Sequence, residues 1–175
     1  MNYVIVDVET TGGNTKDSKI TELAMYKHDG TQIIDSFATL VNPEMPIPDF
    51  ISRLTGIHDK MVEDAPKFYE IAKQIIEFTD DCIFVAHNVG FDYGIIRHEF
   101  KQLGYDYRKA HLCTVRASRY VIPNHESYSL GKLTKALGIP DIQLKVNLVS
   151  DIKTNGIFDQ KNKRFPVTNG TINLE

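Results

Sequence analysis

Two carboxylates two residues apart, Asp7 and Glu9, interrupt the β-branched run Val4-Ile5-Val6-Asp7-Val8-Glu9-Thr10-Thr11-Gly12. The run reads as a strand at the centre of a sheet, and alternation puts both acids on one face. Burying a pair of acids costs several kcal/mol apiece and sets like charges against each other. A divalent cation removes both penalties. The competing reading is an edge strand whose polar face carries the two acids into water. Thr10-Thr11-Gly12 then ends the strand in a turn whose hydroxyls and N–H groups are placed to meet a substrate.

A third acid belongs to a second cluster, His87-Asn88-Val89-Gly90-Phe91-Asp92, directly after the apolar stretch Cys82-Ile83-Phe84-Val85-Ala86. An apolar strand running into a helix is the pattern of a βα unit with a covered sheet. The carboxyl end of such a strand is where α/β proteins bind ligands. Taken alone, Asp92 is equally an acid complementing the N-terminal end of a helix dipole.

Together the two clusters resemble the DEDD exonuclease superfamily. Asp7-x-Glu9-Thr10-Thr11-Gly12 is similar to its first motif and AHNVGFDYGIIRHEF to its second. Relatives within it include the proofreading epsilon subunit of bacterial DNA polymerase III and the exonuclease domain of PolC-type polymerases. The resemblance implies Asp7, Glu9 and Asp92 as catalytic metal ligands for two divalent ions, Mg²⁺ or Mn²⁺. It implies Thr10, Thr11, His87, Asn88 and Phe91 around the substrate, with Asn88 orienting its loop and Phe91 serving as core packing or a wall for a base.

The third motif departs from the pattern. Ser150-Asp151-Ile152-Lys153-Thr154 resembles the family's D-A-x-x-T run and makes Asp151 the fourth catalytic and metal-binding acid. Five residues earlier, where the histidine branch carries its general base, stands Val146. No histidine follows His125, and the tyrosine branch's spacing is not met, since the nearest tyrosine is Tyr128. Asp141, after Gly138-Ile139-Pro140, is a weaker rival better explained as a surface turn. His87 and His125 read as structural histidines.

The elements that must position these groups follow from periodicity. Residues 20–27 and 32–41 read as strands joined by a turn at Asp29-Gly30, giving three antiparallel strands with the first. Residues 42–48 form a proline-punctuated loop, and 54–66 a connecting segment whose His58 is a loop or capping residue. Apolar positions at Phe68, Ile71, Ile75 and Phe78 predict a helix over 67–78. A further helix over 92–103 turns Ile95, Ile96, Phe100 and Leu103 inward and stops at Gly104. Residues 113–119 fit a strand end or a helix start equally. Residues 127–138 predict a serine-capped helix ending in glycine.

The expected fold class is therefore α/β, a ribonuclease H-like mixed sheet of three antiparallel strands and then parallel ones, with helices on both faces. With 175 residues and 42% apolar content, one core is the default. We expect an exonuclease-like domain over 1–155 and an irregular tail over 156–175. Cys82 and Cys113 suggest free thiols in a reducing compartment. Without an apolar leader or a run approaching the roughly 20 residues of a membrane span, the expectation is a soluble, cytoplasmic protein with no membrane partner.

A net charge of −3 argues against coating nucleic acid through a global field. It leaves room for gripping one chain end. The resulting expectation is a metal-dependent 3′–5′ exonuclease on single-stranded or frayed DNA 3′ ends, in proofreading or repair, with a DNA polymerase subunit as a possible partner. The alternatives are a catalytically impaired module that binds nucleic-acid ends or a polymerase partner, and an RNA-trimming exonuclease. No residue distinguishes RNA from DNA.

Overall fold

Alternation of valines with polar residues builds the central strand β1 (Asn2–Thr10). Val4, Val6 and Val8 point into the core, while Ile5 and Asp7 are exposed and Glu9 is half-buried. Our computed structural model describes residues 1–139. β2 (Ile20–His28) pairs antiparallel with β1, and β3 (Ile33–Leu40) antiparallel with β2. The hairpin between β2 and β3 turns at Gly30, whose φ of 104° is left-handed. The Asp29 carboxylate accepts the N–H groups of Thr31 and Gln32 there. β4 (Cys82–Ala86) and β5 (His111–Cys113) then add in parallel, giving the order β3-β2-β1-β4-β5. This is the mixed sheet expected from the sequence.

Two short helices intervene: α1 (Asp49–Thr55), mostly in the stretch the sequence leaves unassigned, and α2 (Asp59–Val62), within the expected connecting segment. Pro48 precedes α1, and Gly56 at φ 80° ends it. At seven and four residues, neither is long enough to display a helical period. Longer helices follow: α3 (Phe68–Phe78), then α4 (Gly90–Gln102) between β4 and β5. The 113–119 ambiguity resolves as both alternatives, because β5 ends at Cys113 and α5 (Thr114–Val121) begins at the next residue. α6 (Leu130–Ala136) has Ser129 at its N-cap position and Gly138, at φ 64°, just beyond its end.

The main core joins Val4, Val6 and Val8 to Phe68, Ile71 and Ile75 of α3 and to Ile95, Ile96 and Phe100 of α4. Leu103, expected to face inward, is instead 46% exposed. The helix ends one residue earlier, with Leu103 as its C-cap and Gly104 at φ 75°, so the chain turns away before that side chain reaches the core. A second cluster packs Ile51 of α1 and Val62 of α2 against Leu40 of β3. Leu40 is opposite Glu22, and Glu22 opposite Glu9, so these helices cover the sheet face that carries the acids. Helices thus lie on both faces. Cys82 and Cys113 are free thiols, the first buried and the second half-buried.

Candidate active site

β1 runs further than β4 along their shared edge, since the parallel pairing stops at Ile5 opposite Val85. Past that point β1 carries Asp7 and Glu9 on one face, opposite Ala24 and Glu22 of β2. The chain leaving β4 passes through Asn88, left-handed at φ 66°, before α4 starts. Asn is one of the few residues that adopts this conformation readily. The turn delivers Asp92 in the first turn of α4 to the unpaired edge of β1, close enough to the Val8 backbone N–H for it to favour the charged carboxylate.

The three acids are close enough to disturb one another. Burial, then repulsion from Asp7, pushes Asp92 up to about 7. The Val8 N–H pulls the other way, and Glu9 adds a smaller upward push. Burial followed by repulsion from Asp7 likewise raises Glu9 to about 7. Asp7 has an open outer side, yet the protein around it strips enough water to raise its carboxyl as well. Among the described residues the side chains are not gathered into a ready three-ligand metal cluster. Their chemistry still fits a hard divalent cation, which binds oxygen ligands and cancels mutual repulsion.

The threonines are more constrained than the sequence suggests. Thr10 donates its hydroxyl to the Gly12 carbonyl at 2.6 Å. Thr11 accepts the Lys19 N–H on its hydroxyl at 3.0 Å, donates its own N–H to the Lys19 carbonyl, and meets Met45 Sδ at 3.7 Å. Both are buried, so they brace the loop beside the acids. Phe91 is half-buried and packs against the main core.

His87 is a tie between elements. Its Nε2 lies 3.0 Å from the Tyr128 carbonyl and therefore carries the hydrogen, while Nδ1 lies 2.9 Å from the Thr114 hydroxyl. With both nitrogens engaged it links the end of β4 to the start of α5 and to the loop before α6. His125 accepts the Ser127 N–H and packs beside Tyr128. Asp141, Val146, Asp151 and the tail lie outside the described residues.

Two features of the site were missed in the sequence. Glu22 is a fully buried acid directly across from Glu9. Only the register of β2 on β1, set by the loop over residues 11–19, puts it on the acidic face. The ion pair of Lys19 with Glu99, at 2.9 Å, spans eighty residues, and no local pattern announces it.

An exonuclease family model, RNase_T, matches residues 4–144. The chain is 37% identical over 133 residues to "DNA polymerase III PolC-type" of Caldanaerobacter subterraneus, covering 76% of this chain and 10% of that protein. It is 38% identical over 137 residues to "3'-5' exonuclease DinG" of Bacillus subtilis, covering 77% of this chain and 15% of that protein. The chain therefore spans only a small part of these curated relatives. Among solved structures, Exonuclease I matches with a TM-score of 0.70 at 17% identity, over 79% of this chain and 37% of that one. Exonuclease X in complex with 5' overhanging duplex DNA matches with a TM-score of 0.64 at 24% identity, over 88% of this chain and 93% of that one.

Proposed function

This chain belongs to the RNase_T exonuclease family, and from that premise we propose that it is a metal-dependent 3′–5′ exonuclease acting on single-stranded or frayed DNA 3′ ends. The observation that carries the reading is the convergence of Asp7, Glu9 and Asp92, each with a raised pKa, where β1 overruns β4. Such a carboxylate set is poorly stabilised by the protein alone and well stabilised by Mg²⁺ or Mn²⁺.

Asp7, Glu9 and Asp92 hold the ions, with Asp151 as the fourth ligand. Two bound divalent ions supply Lewis-acid activation of water and charge stabilisation on the phosphodiester. The Thr10-Thr11 turn, Asn88 and Phe91 line the seat of the 3′-terminal nucleotide, and His87 holds the loop that forms one side of it. Stacking on an aromatic ring tolerates any base, as an exonuclease without sequence preference requires. The working unit is 1–155, it is cytoplasmic, and it serves proofreading or repair beside a DNA polymerase subunit.

Val146 favours one second reading. A general base contributes about 10²–10⁴-fold in rate, so a chain with valine at that position suits a module that binds nucleic-acid ends and turns over slowly or not at all. The test is a 5′-labelled DNA oligonucleotide with a 3′ overhang, incubated with Mg²⁺ or Mn²⁺ beside an RNA of the same sequence. A ladder shortened one nucleotide at a time, lost by at least about 100-fold in Asp7→Ala, supports the enzyme. Val146→His should then raise the rate. Binding of metal and oligonucleotide without shortening would leave the end-binding module. Preferential shortening of the RNA would move the substrate class.

A further inference from the structure

We propose that the Lys19–Glu99 ion pair is a positioning device that fixes the distance between the acids of β1 and the acid of α4, an inference that rests on the metal-site reading above. The pair lies outside the carboxylate cluster and touches none of its members, but each partner is tied to a different part of it.

Lys19 is the residue at which the loop after β1 returns to the sheet. Its backbone bonds twice to Thr11, through the Thr11 N–H to its carbonyl and through its own N–H to the Thr11 hydroxyl, each near 3 Å. Thr11 is only two residues from Glu9. Glu99 lies seven residues after Asp92 on α4, close to two full turns, so the two acids share one face of that helix. Its side chain is 6% exposed and its Oε2 meets Lys19 Nζ at 2.9 Å.

The contact continues along the helix. A Cβ placed on Gly94 would meet Thr15 Cγ2 at 3.4 Å, so the loop lies against α4 within a turn of Asp92. The loop is internally braced as well, with the N–H groups of Asp17 and Ser18 both donating to the Asn14 carbonyl. A braced loop touching α4 at Gly94 and pinned by a charged bond at Glu99 transmits the helix position to Thr11, and through Thr11 to Glu9.

The Lys19 side chain is 36% exposed while Glu99 is buried, and an ion pair open to water on one side contributes little net stability, which argues for a geometric role. Support groups behind metal ligands typically change metal affinity or activity by about 10–100-fold when removed. Removing only one charge would strand the other, so the informative variant removes both.

The experiment compares wild type, K19M/E99Q and the conservative K19R. Three quantities are read on each: kcat and KM for DNA shortening, Mn²⁺ affinity of the DNA-free protein by calorimetry, and amide-exchange protection over residues 10–19. We expect K19M/E99Q to melt near wild type yet lose about 10–100-fold in kcat and in Mn²⁺ affinity, with KM for DNA within about threefold. Protection over the loop should fall, and K19R should recover most of both losses.

Equal Mn²⁺ affinity and equal loop protection in wild type and K19M/E99Q would overturn the proposal. So would a wild type that binds no Mn²⁺, since there would then be no site to position. If wild type shortens no DNA but binds Mn²⁺, and the double variant loses that affinity, the positioning pair stands and the nuclease reading falls.

Discussion

The Asp92 carboxylate meets two opposing demands. The Val8 N–H beside it favours its charge, while burial and the neighbouring acids disfavour it. Both Asp92 and Glu9 are held near 7, well above ordinary values of 3.8 and 4.5. Without metal, the folded protein keeps these protons to higher pH than the unfolded chain does. Stability from this source is complete below about pH 4 and is lost as pH rises through about 7. In EDTA the melting temperature should therefore fall from pH 5 to pH 8, and Asp92→Asn should flatten that slope. Divalent ion at pH 8 should restore stability. A metal-free melting temperature that rises over the same interval would contradict this account. At this scale the acids were legible in the sequence, because spacing alone puts Asp7 and Glu9 on one face. The position of Asp92 against the free end of β1 was not, since nothing in the sequence says that β1 outruns β4.

α4 is the element on which both core and site depend. It turns Ile95, Ile96 and Phe100 into the core while holding Asp92 and Glu99 toward β1 and its loop. Phe100 stacks on Tyr107 with centroids 4.7 Å apart and meets Phe68 edge-on at 5.1 Å. Phe100→Ala should cost about 3–5 kcal/mol in chemical denaturation. Any surviving activity should require more metal than wild type, because the same helix carries Asp92. A loss under about 1 kcal/mol would mean that α4 is held chiefly by its loop contacts. Helix α4 was readable from its apolar spacing after a wholly apolar strand, as was α3 from Phe68, Ile71 and Ile75. Gly104 correctly marks the stop of α4, but the period extends one position too far at Leu103, which caps the helix and faces water. Helices α1 and α2 gave no period at all. Cys113 looked ambiguous because one residue ends β5 and also serves as N-cap of α5.

At the scale of the molecule, charge decides what kind of grip on nucleic acid is available. Acids outnumber Lys and Arg by 23 to 20, and the candidate site is itself acidic. No helix among the described residues is long and apolar enough to cross a membrane. A protein that tracks a long backbone needs many phosphate contacts, and six to ten of them cost about 10³–10⁵-fold in affinity between about 50 and 200 mM salt. A chain that seizes one 3′ end needs few. With about two phosphates of a single strand neutralised by protein cations, a fourfold rise in salt weakens binding only about sevenfold. The expected outcome is a KM for single-stranded DNA that rises less than about tenfold over that range at fixed Mg²⁺. A rise beyond about 100-fold would require a basic track. The exposed Arg119 and the Lys132 and Lys135 residues of α6 would then be the cations to substitute first. The acidic balance favours the shallow response, because on the proposed reading a divalent ion held by the acids, and not a field of lysines, would draw the phosphate.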